Sequence, residues 1–150
     1  MQPEPAVTFA AVAAVLYAAH QAGDYWAQTN VQAMEKGLPG WKGRRACVGH
    51  IASYTLTLAG FLYGSALWLG LALRPWNALG GLAVSAVTHY AADRRTPLER
   101  VAAAMDRRWG KLGFYRAGEG LATGAALLDQ AWHWVWLLVS ALVVAGGPHG

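Results

Sequence analysis

Four apolar runs, separated by two basic stretches and one short turn, set the pattern of the chain. The first, from Ala6 to about Gln28, opens with small apolar residues and ends in His20, Asp24, Tyr25, Trp26 and Gln28. It predicts a helix over residues 6–28, with Pro5 in the opening turn and a continuation towards Lys36 before Gly37 and Pro39 stop it. A short loop, 37–43, follows. Residues 47–73 contain no charge and are long enough to cross roughly 30 Å of hydrocarbon with some tilt. Arg74-Pro75-Trp76-Asn77 is a tight turn, and residues 76–93 predict a shorter third helix containing Gly80-Gly81. The fourth run, 121–145, is membrane-length but interrupted by Asp129, Gln130 and His133. Between the third and fourth runs, Thr96-Pro97-Leu98-Glu99 reads as a capping box opening a helix over 97–109. Leu98, Val101, Ala102, Met105 and Trp109 form its apolar stripe, which suits a helix lying on an anionic inner leaflet and equally one packed on the protein. Gly110–Gly120 reads as a hinge-like basic connector.

Composition moves this pattern from a soluble helical protein to a membrane one. Only 13% of the 150 residues are charged, 55% are hydrophobic, and eight are tryptophan. The expected fold class is therefore all-α: one integral membrane domain, 1–150, with four transmembrane helices and a cytoplasmic interfacial amphipathic helix. Of the 12 Lys and Arg residues, 11 fall in Gln32–Arg45 and Arg94–Arg116. The net charge of +4 thus reflects two loops kept in the cytoplasm rather than a basic patch. Both termini are then expected outside the plasma membrane, with the bilayer and its anionic inner-leaflet lipids as partners. Nucleic acid is not expected, since no recognition motif or aromatic-interleaved basic strand accompanies the charge. The single cysteine, Cys47, excludes an internal disulfide and a thiolate cluster. Met1–Pro5 lacks the basic start of a signal peptide, so the first run is expected to be retained.

The candidate chemistry lies in three pairs with the same spacing: His20/Asp24, His89/Asp93 and Asp129/His133, each four residues apart and so on one helix face. With four aspartates in 150 positions, a given histidine finds one at that distance only about 5% of the time, so three pairs among five histidines are unexpected by composition. Any single membrane histidine is more commonly a bond to a neighbouring helix, as Gln28 and Gln130 also could be. Several carboxylates and imidazoles in hydrocarbon cost several kcal/mol unless paired, hydrated or bound to metal. His50, near the start of the second helix, falls at the same depth as the first two pairs. Asp129/His133 lies near mid-membrane if its helix is counted from Glu119, and level with the others if the span begins near Leu127. The expected site is therefore a divalent metal centre drawn from His20, Asp24, His50, His89, Asp93, Asp129 and His133. Zinc suits that donor set best, and manganese or iron also accept it.

His20-Gln-Ala-Gly-Asp24-Tyr-Trp-Ala-Gln28-Thr-Asn30, with His50, His89-Tyr-Ala-Ala-Asp93 and Asp129-Gln130-Ala-Trp-His133, resembles the pattern H-x-x-x-D-[FY]-x-x-Q-T, an early His, H-x-x-x-D and D-Q-x-x-H. That pattern belongs to small bacterial and phage integral membrane proteins grouped as a domain of unknown function. The resemblance covers nearly the whole chain, although the third helix here is shorter. It implies a polytopic membrane protein with a buried polar site, and it supplies no reaction.

The chemistry alone suggests a metal-dependent membrane hydrolase acting on a lipid or a lipid-linked phosphate or ester. His20, His50, His89 and Asp93 would hold the metal, Asp24 or Asp129 would accept a proton, and His133 would be a further ligand or the general acid. Arg94 and Arg95 could hold a phosphate headgroup, though lipid attraction and topology also account for them. Two alternatives use the same residues: a proton or metal-ion transport protein, and a non-catalytic membrane interaction protein whose polar pairs lock its helices together.

Overall fold

The computed structural model describes residues 5–118 and 123–146; the sequence features at Glu119, at Leu121 and in the Gly-Pro-His-Gly tail lie outside them. The described residues are helical with no strand. Helix α1 (Pro5–Gln21) passes without a break into a π-helical turn (Ala22–Trp26), followed by α2 (Asn30–Glu35), α3 (Gly40–Leu69) and α4 (Pro75–Asp93). Three short helices come next, α5 (Thr96–Ala104), α6 (Asp106–Trp109) and α7 (Lys111–Arg116), and α8 (Gly124–Ala145) closes the described fold.

Pro5–Trp26, Gly40–Leu69 and Gly124–Ala145 are each long and apolar enough to cross a membrane. At 1.5 Å per residue these spans measure about 33, 45 and 33 Å, so α3 is longer than a roughly 30 Å hydrocarbon layer requires. The four long helices run alternately up and down, and α4 packs most extensively on α8. Val12, Leu16, Leu58, Leu62, Leu137 and Ala141 are almost fully buried in the core. Leu56, Leu67, Trp68, Val135 and Leu142 point outward. An apolar outside around a core that also buries four histidines reverses the usual soluble arrangement.

Several expected boundaries shift, each for a local reason. The second long helix starts at Gly40 rather than Cys47, so most of the expected 37–43 loop is its first turn, and it stops at Gly70, whose φ of 65° closes the C-terminus. The first helix does not continue to Lys36. It ends in the π turn, and Thr29 starts a separate helix with a capping box, its side chain accepting from Gln32 N while Gln32 accepts from Thr29 N. The capping box expected at Thr96/Glu99 does not form. Arg95, with a positive φ of 59°, turns the chain and takes the N-cap position, and Glu99 instead pairs with Arg116 at 3.0 Å. The 97–109 helix is broken at Met105, and the expected connector after Gly110 contains α7. Leu98 and Ala102 are buried against the bundle, while Val101, Met105 and Trp109 remain open on the same stripe.

The α4–α8 contact depends on Gly81. A Cβ there would meet Val144 Cγ2 and, at 2.8 Å, the Ser140 carbonyl oxygen. Gly81→Leu is expected to destabilise the detergent-solubilised protein by about 1–3 kcal/mol, read as a lower thermal midpoint. Gly60→Ala, where an added Cβ meets nothing within 4 Å, should shift it negligibly.

Candidate metal centre

Each long helix sends polar groups to one end of the bundle. α1 supplies His20 and its π turn supplies Asp24, α3 supplies His50, α4 supplies His89 and Asp93, and α8 supplies His133. The π turn closes with Ala27 N–H donating to the Ala22 carbonyl at 2.9 Å, five residues back. Within it, Gly23 lies flat against Tyr54 of α3, where a Cβ would stand 2.8 Å from Cδ2. That close approach brings Asp24 to the imidazoles of α3 and α4.

The geometry is tight. His50 Nε2 lies 3.1 Å from both Asp24 Oδ1 and His89 Nε2, and 3.4 Å from Asp93 Oδ2. His89 Nε2 lies 3.3 Å from Asp24 Oδ1 and from Asp93 Oδ2. In a tetrahedron with metal bonds of 2.0–2.1 Å, neighbouring donors stand about 3.3 Å apart. The ligand-bearing atoms of Asp24, His50 and His89 all lie within 4.8 Å of one another, as do those of His89, Asp93 and His133. His89 is common to the two sets. These buried groups could hold a metal ion, and a three-donor set leaves a coordination position open.

Buried polar atoms without hydrogen-bond partners provide an independent test of fit. Around the cluster, Asp93 Oδ2, His20 Nε2, His133 Nε2 and the Nδ1 atoms of His50 and His89 have none. His133 donates from Nδ1 to the Asp129 carbonyl at 2.7 Å, with Asp129 Oδ2 at 3.4 Å. That bond fixes the tautomer and leaves the Nε2 lone pair facing the cluster, the usual preparation of a histidine ligand. An orphaned acceptor of this kind is costly in a dry site and is satisfied by a cation.

The other expected residues take different places. His20 belongs to neither donor set: Nδ1 bonds Tyr54 OH at 3.3 Å, Tyr54 OH bonds Ser85 Oγ at 3.2 Å, and Nε2 stands 3.8 Å from Asp24 Oδ2. Its ring is stacked on His133, with centroids 5.1 Å apart. Asp129 is also outside both sets. It begins the second turn of α8, with its side chain 29% exposed on the wall of a cavity of about 400 Å³. Because α8 starts at Gly124, the Asp129/His133 pair sits near the helix start, at the depth of the other donors. Gln28 buries its amide nitrogen without a partner.

Sequence reasoning missed Lys36. Its ammonium lies 2.7 Å from Asp93 Oδ1 and 3.9 Å from Asp24 Oδ1, bridging the two carboxylates from the loop end. Arg94 holds it there by donating to the carbonyls of Lys36, at 2.5 Å, and Leu38, at 2.7 Å. Arg94 is thus a clamp on the 36–38 turn, whereas Arg95 lines the cavity.

Replacing Lys36 by Met should lower stability in chelator by about 2–4 kcal/mol, because it strips a counter-ion from two buried carboxylates. The same change should tighten divalent-metal binding by about tenfold or more, since a competing positive charge is gone. Thermal melts with and without chelator, together with calorimetric metal titration, check both signs.

No protein-family model matches the chain, and no curated protein or solved structure is significantly similar to it, so the resemblance to the small membrane-protein pattern rests on the quoted motifs alone.

Proposed function

We propose that the protein is a metal-dependent membrane hydrolase whose substrate is a lipid or a lipid-linked phosphate or ester. The observation that carries this reading is the convergence of Asp24, His50, His89, Asp93 and His133, from all four long helices, beside a cavity that reaches the loop end. Two carboxylates and one ammonium leave a buried negative charge. A divalent cation reverses that to a single positive charge, which suits an anionic substrate group. When bound, the ion lowers the pKa of a coordinated water and polarises a phosphoryl or acyl oxygen.

The chain's own residues divide the remaining work. His50 and His89, with Asp24 and Asp93, are the ligands in this scheme, and His133 is a further ligand held in orientation by the Asp129 carbonyl. The Asp129 carboxylate, partly open to the cavity, accepts the proton of the attacking water. The water oxygen bonds to phosphorus or acyl carbon, the ester bond breaks, and the alcohol leaves with that proton. His20 acts as a positioning residue through Tyr54 and Asp24 rather than as a ligand. Zinc fits the mixed nitrogen and oxygen set, with manganese or iron as the other candidates.

The membrane arrangement in this reading has four spans, both termini outside and the metal end in the cytoplasmic half. α4 supports the fourth span despite its polar residues, because Trp76, Leu79, Ala83 and Val87 form its outward stripe. An outward face that is wholly apolar belongs against lipid. Ion or proton transport is less well supported. Beyond Tyr54 and Ser85, the space between the helices is filled mainly by Leu58, Leu62, Leu82, Leu137 and Ala141; of the buried hydroxyls in that half, Ser140 donates to the Trp136 carbonyl of its own helix, and Thr8 lies at the far end, so no titratable group continues the series.

Elemental analysis of detergent-purified protein is expected to find stoichiometric divalent metal, lost in His89→Ala and stripped by chelators together with any lipid-hydrolysing activity. Well-folded protein that binds no metal would end the hydrolase reading. The topology is tested separately by Trp41→Cys in a Cys47→Ala background. Trp41 is 71% exposed in the first turn of α3, so the thiol should resist an impermeant maleimide on intact cells and label readily in inverted vesicles. Labelling from outside would reverse the orientation.

A further inference from the structure

A second concave surface lies next to the polar cavity. The polar cavity is walled by Lys36, Asp93, Arg95, Tyr115, Thr123 and Asp129. On the other side of Leu98, a groove of about 410 Å³ runs between α5 and α8, lined almost entirely by apolar side chains that include Val101, Met105, Ala131, Trp132 and Val135. Leu98 borders both, so the two concavities adjoin across a single side chain, and together they make a cleft that is polar at the metal end and apolar along α8, with Leu98 as the sill between. The groove has a fixed wall. The Trp132 indole N–H donates to the Thr88 carbonyl at 3.0 Å, which locks the ring across the α4–α8 joint.

We propose that this cleft binds one molecule of an anionic glycerophospholipid, with its phosphate in the Arg95 end beside the metal site and an acyl chain in the α5–α8 groove. Charge and continuity choose this occupant. Arg95 is exposed, packs against Gly37 and forms no ion pair among the described residues, whereas Lys36 is already engaged by Asp93; with the Asp129 carboxylate on the same wall, Arg95 is the cation this branch offers to a phosphate. The apolar branch begins where the polar one ends, and its outer wall is α8, a helix apolar enough to cross the bilayer. An acyl chain can therefore enter sideways from the membrane without leaving hydrocarbon, while the headgroup stays in the polar branch. A free phosphate would use only Arg95 and leave the apolar groove empty.

The inference rests on the lipid-hydrolase reading for its substrate class, yet binding is measurable without turnover. The test is native mass spectrometry of the full-length protein in detergent, with dioleoyl phosphatidate, dioleoylglycerol or inorganic phosphate added and metal content determined on the same samples. Wild type is expected to retain one phosphatidate, to hold dioleoylglycerol at least tenfold more weakly, and to retain no phosphate alone. Ala131→Trp, which fills the groove from an outward position, should weaken phosphatidate at least tenfold with metal content unchanged. Arg95→Gln should weaken it similarly, and Arg95→Lys should restore most of it. Equal retention of phosphatidate by wild type, Ala131→Trp and Arg95→Gln would overturn the cleft as the lipid site, as would dioleoylglycerol binding as tightly as phosphatidate. Lipid binding that obeys these variants in protein without metal would leave the cleft standing and remove the hydrolase reading. Metal without selective lipid binding would do the reverse.

Discussion

Excess negative charge at the buried end of the bundle is the constraint on which the other features depend. Asp24 and Asp93 are 8% and 2% exposed in their side chains, and Lys36 is the one ammonium within reach among the described residues. Ionised carboxylates in such a setting are tolerated only when opposite charge and hydrogen bonds surround them. Four imidazoles stand around these two carboxylates, with ring centroids as close as 4.1 Å for His89 and His133 and 5.1 Å for His50 and His89. Neutral imidazoles donate one proton each and supply no charge, so the remaining compensation falls to a cation or to a protonated ring. The unpartnered oxygen of Asp93 and the bare Nε2 of His133 favour the cation, because both present lone pairs to the same space.

Much of the local backbone serves this end. The π turn and Gly23 let α1 press against Tyr54, which brings Asp24 level with His50. Arg94 fastens the 36–38 turn so that a lysine from a loop reaches a carboxylate on α4. Gly81 allows α4 and α8 to approach closely at the opposite end, and the Trp132–Thr88 bond and the His89–His133 ring contact join them at the site. These are close backbone contacts with polar consequences, the usual way in which helix bundles in lipid gain specificity.

The existence of the long helices and the depth of the polar groups were legible in the sequence because both follow from period and spacing. His20/Asp24 and His89/Asp93 are four residues apart, and that alone put each pair on one face near one end. What could not be read was tertiary. Nothing local marks Ala22–Trp26 as a π turn. Lys36 looked like a topological charge until the turn folded back onto α4. Thr29/Gln32 was a readable capping box that was overlooked, whereas Thr96/Glu99 had the right letters and lost to the chain reversal at Arg95. Asp129 shared the spacing of the other aspartates, yet helix α8 turns its carboxylate towards the cavity and its carbonyl towards His133. Spacing predicts a common face, but the packing of the neighbours decides which atom of a residue is used.

Access separates the functional readings more sharply than the ligand set does. A path through a membrane needs polar groups at successive depths, and here the hydrogen-bonded series His20–Tyr54–Ser85 ends in a core of close-packed aliphatic residues. A site that converts a substrate needs only one opening and a way to exclude bulk water from the other side. The bundle is compatible with the second arrangement: one half packed mainly by leucine and alanine, and a polar half whose cavity adjoins an apolar groove across Leu98. A substrate that brings its own hydrocarbon is suited to such a cleft, because its chain keeps the groove dry while its polar group alone approaches the donors. The asymmetry between the two halves, rather than the identity of any one histidine, favours chemistry on a lipid over passage of an ion.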